Sequence, residues 1–258
     1  LKAILLTLLS IVYGIYAWLA FVVLGALTLL IALLPGLSLA FRRGLAHSIA
    51  RLWLRVAGIR VSLHNAASLP EGPCVVVANH ASYLDGVVLK AMLPARFCFV
   101  IKKEMVSLPL AGTLLRRIGS EFVDRFNRHS GGMDARRILK AAVGGQALVF
   151  FPEGTFAKEP GVSRFHTGAF AIAARSNLPV VPVAIQGTRW ILPEGRMLPR
   201  LGAIDIRVLP AIDSRSTLGR HEWTPQLTEL ARESLIRALG EPDLAHVDGI
   251  ASLGERKS

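Results

Sequence analysis

Acidic side chains are missing from the first quarter of the chain: neither Asp nor Glu occurs before Glu71. Charge of either sign is missing from Ala3 to Leu34, a run of 32 positions. As one helix that run is about 48 Å long, against a bilayer hydrocarbon core of about 30 Å. It is too long for the apolar part of a cleaved signal peptide. A tilted or broken spanning helix fits it, as does a hairpin within one leaflet, with Gly14 and Gly25 as candidate break points. Cysteine is scarce. Cys74 and Cys98 stand alone in apolar runs, which excludes a disulfide framework and any redox or metal spacing and leaves two small core residues. No zinc-finger, RNP or helix-turn-helix signature is present, so nucleic acid does not account for the basic excess. The serine elbow GxSxG is absent too: GVSRF, 161–165, fails at its last position. There is no internal repeat and no low-complexity tract.

What the chain does hold is positive charge, with 30 Lys and Arg against 18 Asp and Glu in 258 residues, a formal +12. Such a balance favours an anionic partner: a membrane surface or a phosphorylated substrate. Through Pro70 the bases are Lys2, Arg42, Arg43, Arg51, Arg55 and Arg60, with nothing to offset them. In GLSLAFRRGLAHSIARLWLRVAG, 36–58, Arg43, His47, Arg51 and Arg55 recur every fourth residue, while Leu45, Ile49, Leu52, Trp53 and Val56 favour the other side. A basic amphipathic helix beside an apolar anchor reads as an interfacial element on anionic headgroups. The surplus of bases places this side of the membrane in the cytoplasm. Residues 1–58 are therefore expected to form a membrane anchor with its basic helix, 59–240 the body, and 241–258 a polar, frayed tail.

In the body, short apolar runs alternate with helical patterns. Strands are expected at 60–64, 73–78, 97–101, 120–123, 147–151, 180–185 and 204–208, and helices at 83–92, 108–117, 132–143, 168–176 and 223–239. The alternation predicts an α/β fold, a mixed and largely parallel sheet flanked by helices. Runs such as VVVA lack polar alternation, as strands covered on both faces do.

Four segments carry candidate chemistry. NHASYLD, 79–85, follows a strand-like run. Ser82 and Asp85 have the form of a capping box, which makes His80 a loop residue. On a regular helix His80 and Asp85 would lie about 140° apart and could not meet. Across a strand-to-helix turn at a carboxyl sheet rim they can, and the carboxylate would then fix the imidazole tautomer. In GSEFVDR, 119–125, Arg125 at a strand end either grips a phosphate or forms a surface pair with Asp124. FPEGT, 151–155, marks a tight turn carrying Glu153 beyond another strand. VVPVAI, 180–185, places Pro182 inside a β-type run, which suggests an edge strand or a bulge.

In this order the four segments, with FHTGAFAIA at 165–173 downstream, resemble the lysophosphatidic acid (1-acylglycerol-3-phosphate) acyltransferase family of glycerophospholipid acyltransferases, over roughly residues 50–210. That resemblance implies His80 and Asp85 as a catalytic pair. It implies Phe122, Asp124 and Arg125 as an acceptor-binding block, with Glu153, Gly154 and Thr155 also contacting acceptor, and Pro182 in a block linked with the acyl donor. The implied partners are acyl-CoA or acyl carrier protein, a lysophospholipid and an anionic membrane surface; the implied reaction uses an already activated thioester and calls for no cofactor and no metal. One position departs from the pattern. Phe156 follows Thr155 where many members carry arginine, and Lys158 stands two residues further on. This removes one phosphate contact or moves it to Lys158, and opens the acceptor to another lysolipid such as a lyso-ornithine lipid. A thioesterase or lipase, with water in place of the alcohol, is the alternative class.

Overall fold

Seven short runs rich in Val, Ile, Leu and Phe pair into one seven-stranded sheet. The computed structural model describes residues 2–124, 128–155, 159–215 and 220–245. Its strands are β1 (Arg60–His64), β2 (Val75–Ala78), β3 (Cys98–Lys102), β4 (Glu121–Val123), β5 (Leu148–Phe150), β6 (Val180–Gln186) and β7 (Ala203–Val208), in the spatial order β1-β7-β6-β2-β5-β3-β4. All neighbours are parallel except β6 and β7. The carboxyl ends of β6, β2, β5, β3 and β4 therefore form one rim. The helices are α1 (Lys2–Leu33), α2 (Leu39–Val56), α3 (Asp85–Met92), α4 (Ala111–Arg117), α5 (Arg128–Val143), α6 (Gly168–Ser176), α7 (Thr188–Ile191) and α8 (Arg220–Leu239).

Strand alternation divides the core into two layers. Val76 and Ala78 of β2 face a cluster with α1, α2 and α3, while Val75 and Val77 face α5, α6 and α8. Every residue of β2 is buried, because both faces are covered. Cys74 and Cys98 sit in these layers, both buried. The seven strands fall within two residues of their expected bounds. Sequence periodicity missed α7, a single turn too short to show a repeat.

Three expectations are corrected by the packing. Helix α1 runs unbroken through Gly14 and Gly25. Gly14 serves close approach instead: a Cβ there would come 2.6 Å from Leu198 Cβ. The basic stripe of α2 is split. Residues four apart advance about 400°, so a four-residue repeat drifts by about 40° per step. As a result Arg43 turns inward, 7% exposed, and donates to the carbonyls of Ile118, Arg96 and Gly119. His47 Nδ1 meets the Lys90 carbonyl at 3.1 Å, while Arg51 and Arg55 are exposed. Lastly, of the two readings of Pro182 the edge strand fails and the bulge holds, for the residue lies in a central strand. Its carbonyl accepts from Leu209 N–H at 2.9 Å, and Val180 exchanges bonds with Ile212 at 2.9 and 2.7 Å. Two steps along β6 thus oppose three on the returning chain. This bulge lies where the missing proline N–H would have donated.

Both α1 and the described residues after α8 are joined to the body. Tyr13 and Tyr16 hydroxyls donate to the carbonyls of Ala57 and Val56, and Trp53 Nε1 donates to Ala17, so α1 and α2 form an antiparallel hairpin within the shared core. After α8, Asp243 takes a bidentate grip from Arg232 at 2.6 and 2.8 Å and bridges to Val162. The described part of the expected tail, 241–245, is a strap on the body.

Candidate active site

Register alone brings two of the four segments together. In the parallel pair β2 and β5, Val77 stands opposite Phe150. Three residues further along each chain are His80 and Glu153. The backbone N–H of His80 donates to Glu153 Oε1 at 2.7 Å, and Ser163 N–H donates to Oε2 at 2.9 Å. Gly154 adopts φ +82° and closes the turn by donating to the Phe151 carbonyl at 3.1 Å, a conformation that favours glycine. The Phe151 ring stacks on the His80 imidazole with centroids 4.4 Å apart.

His80 and Asp85 meet across the turn from β2 into α3. His80 Nδ1 lies 2.8 Å from Asp85 Oδ2. The same oxygen accepts from the N–H groups of Ala81 at 2.7 Å and Ser82 at 2.8 Å. One oxygen thus both ties down the backbone turn that leads into α3, as the capping reading has it, and holds the ring. Asp85 Oδ1 is buried and has no hydrogen-bond partner among the described residues, and the residue is wholly inaccessible, whereas the His80 side chain is 20% exposed. A carboxylate with one oxygen unpaired in a low dielectric gains stability when the imidazole beside it becomes cationic.

Two further side chains fix the turn. Asn79, 3% exposed, donates to the Ile185 carbonyl at 2.9 Å and accepts from Ile185 N–H at 2.7 Å, so it prolongs the β2–β6 ladder past the end of the strand. Ser82 Oγ donates to the Leu192 carbonyl at 2.6 Å and accepts from Leu84 N–H at 3.1 Å. Burial pushes the Glu153 carboxyl up to about 7, Asp85 pushes the same way, and the N–H donors of His80 and Ser163, with Arg189, pull it back.

The other sequence-derived residues lie apart from this centre. Phe122 is on the edge strand β4, three strand positions from β2, on the order of 15 Å. It lines a cleft of about 360 Å³ with Lys103, Arg116, Glu121, Asp134 and Arg137. Asp124, just beyond β4, pairs with Lys103 at 3.5 Å and donates its N–H to Asp134 at 3.0 Å. Pro182 is inside the sheet, paired with Val77 below the rim. Thr155 is exposed at the end of its turn. Arg125 and Lys158 lie outside the described residues.

A model of the acyltransferase family matches residues 60–186. A lyso-ornithine lipid O-acyltransferase of Pseudomonas aeruginosa is 30% identical over 213 residues, which cover 74% of this chain and 80% of that protein. A chloroplastic 1-acyl-sn-glycerol-3-phosphate acyltransferase of Brassica napus is 32% identical over 160 residues, 60% of this chain. The chain belongs to the acyltransferase family. It spans about half the length of the chloroplastic relatives of Brassica napus and Arabidopsis thaliana, 46% and 45%. The crystal structure of the 1-acyl-sn-glycerophosphate acyltransferase of Thermotoga maritima superposes with a TM-score of 0.73 at 20% identity, over 90% of this chain and 97% of that one. That likeness establishes the α/β fold with its leading apolar helix.

Of the acyltransferase segments read in the sequence, NHASYLD and FPEGT form one centre, GSEFVDR forms the sheet edge and VVPVAI the sheet interior. Sequence reasoning missed Asn79 and Ser163 as groups that hold this centre, and read Ser82 as the capping partner of Asp85 without its bond to Leu192. Asn79 was visible as a polar residue directly after an apolar strand. Ser163, ten positions from Glu153, gave no local signal.

Proposed function

We propose that this acyltransferase moves a fatty acyl group from acyl-CoA or acyl carrier protein to the free hydroxyl of a lysophospholipid, with 1-acylglycerol-3-phosphate, giving phosphatidic acid, as the favoured acceptor. The observation that carries the reading is the 2.8 Å contact between His80 Nδ1 and the buried Asp85 carboxylate at the sheet rim. Asp85 holds the proton on Nδ1 and leaves Nε2 as the basic nitrogen. His80 Nε2 removes the acceptor hydroxyl proton as the oxygen attacks the thioester carbonyl. Asp85 stabilises the imidazolium that forms. Collapse of the tetrahedral adduct breaks the C–S bond, and the departing thiolate takes the proton back. The attacking alcohol stands where a serine hydrolase has its serine, so no acyl-enzyme is needed.

Glu153 acts through backbone: it anchors His80 N–H and so sets the height of the ring at the rim. Arg125 and Lys158, with Lys102 and Lys103 at the end of β3, supply cations for the acceptor's anionic head. Holding both reactants in place lowers the barrier by several kcal/mol, a usual magnitude for approximation. The apolar α1 and the exposed Arg51 and Arg55 attach the enzyme to the cytoplasmic face of an anionic membrane, where acceptor and product reside.

A second acceptor, lyso-ornithine lipid, is favoured by the match to the Pseudomonas aeruginosa acyltransferase and by Phe156 in place of arginine. A product-resolved assay crossing lysophosphatidic acid, other lysophospholipids and lyso-ornithine lipid with both thioester donors decides between them. His80→Ala should abolish transfer with every pair while the protein still folds. Near-normal turnover in that variant, or fatty acid released equally with and without acceptor, would overturn the proposal.

A further inference from the structure

The stretch from α7 to β7 exposes three large apolar side chains, one on α7 and two on the excursion that follows it. Trp190 is 62%, Met197 77% and Leu201 60% exposed. Water alone gives no reason to hold such side chains outward so close together. The guanidinium of Arg200 lies over the Trp190 ring at 4.8 Å, and Arg196 Nε donates to the Leu198 carbonyl at 2.7 Å. Aromatic and aliphatic tips interleaved with cations are the composition of a surface at the boundary between lipid and water.

The excursion is tied to both the membrane helix and the catalytic turn. On one side Trp18 Nε1 of α1 donates to the Met197 carbonyl, and Leu198 fits against Gly14 so closely that a Cβ there would lie 2.6 Å away. Leu201 rests beside Gly58, just past α2. On the other side the Leu192 carbonyl accepts the Ser82 hydroxyl at 2.6 Å, and Ser82 N–H is bound by Asp85. The apolar face of α1, the tips of the excursion and the NHASYLD turn are therefore consecutive members of one packed path.

We propose that the segment Pro193–Gly202 is a second lipid-contacting element, a lip that lays Met197 and Leu201 in the leaflet that receives α1 and sets the catalytic turn at a fixed height above it. The occupant is a bilayer surface. The tips continue the exposed apolar face of α1, the helix of this structure long and apolar enough to enter a membrane. The cations beside them suit lipid phosphates, and Glu194 is the sole acid from Thr188 to Gly202. The lip rests on the membrane attachment of α1 and not on which lysolipid is acylated.

The test uses the full chain on vesicles of phosphatidylethanolamine and phosphatidylglycerol. An environment-sensitive fluorophore is attached in separate variants at Met197→Cys, Leu201→Cys and, as reference, Arg237→Cys on α8, where the side chain is 73% exposed. Unsubstituted protein, whose two cysteines are buried, reports background labelling. Labels at 197 and 201 should shift to the blue and be quenched several-fold more strongly than the label at 237 by lipids brominated in their acyl chains. Labels at 197 and 201 as open to aqueous iodide as the label at 237, in protein still bound to vesicles, would overturn the lip. So would protection from iodide without quenching by brominated lipid, which marks a protein partner or a second copy. A second readout separates the lip from the fold. The double variant Met197→Ser, Leu201→Ser should raise the apparent KM for vesicle-embedded acceptor several-fold and leave turnover of a short-chain, monomeric acceptor unchanged. Equal loss on both acceptors would show a role in folding instead. The fluorescence arm needs no activity, so it stands even if the acceptor proposed above is wrong.

Discussion

Asp85 offers one oxygen to three donors and leaves the other unpaired in the interior. Two substitutions separate its duties. Asp85→Ala removes the cap and should cost about 0.5–2 kcal/mol of stability, the usual range for a lost cap. Asp85→Asn keeps one acceptor oxygen for the same three donors but removes the negative charge that stabilises the imidazolium. Its unfolding midpoint should stay near that of the wild type while kcat falls by orders of magnitude; near-normal kcat in a folded Asn variant would show that the carboxylate only caps. Glu153 adds a dependence on pH. Its folded carboxyl titrates at about 7, above the ordinary value of 4.5, because it is buried. Between those values the folded state holds a proton that the unfolded chain has lost. This group therefore favours folding most below the lower value and loses that contribution as pH rises to the upper one. Glu153→Gln cannot titrate. The stability of wild type minus that of the variant, measured by denaturant at several pH values, should fall from acid to neutral pH and then level off.

At the scale of elements, α2 illustrates what periodicity conveys and what it omits. A repeat of four bases was legible in the sequence, as was the presence of an apolar side. Which base would leave the stripe was not, because that depends on the carbonyls of Arg96, before β3, and of Ile118 and Gly119, after α4. Arg43 meets those carbonyls, and only the tertiary fold assembles them. Arg43→Ala should cost about 1–3 kcal/mol, since it orphans the Ile118 carbonyl while those of Arg96 and Gly119 keep Gln146 Nε2 and Cys98 Sγ, with the loss read from thermal unfolding. Arg51→Gln with Arg55→Gln should leave unfolding unchanged and weaken binding to anionic vesicles, more so at low salt. The strands were legible because residues such as those of VVVA and VVPVAI suit nothing but a strand buried on both faces. Pro182 left an edge strand and a bulge open, because proline marks only a missing donor; the tertiary fold decides for the bulge, on the chain opposite a central strand.

For the molecule as a whole, the pairing of His80 with Asp85 was legible because both lie within one turn. The union of His80 with Glu153 needed the strand order, which places β5 beside β2 although α3, β3, α4, β4 and α5 intervene in the chain. Edge residues such as Phe122 share the motif order but not the centre, since three strand positions separate them from His80. The C-terminal strap was illegible for a related reason: its hold on Val162 joins residues about eighty positions apart. The matched overhangs of β2 and β5 also bear on recombination. A chimera of two relatives, crossed anywhere between α3 and β5, inherits a working juxtaposition provided each parent counts the same number of residues from its strand end to its histidine or glutamate. One residue inserted after Phe150 carries Glu153 past its partner, and no substitution elsewhere in the chain can restore the count.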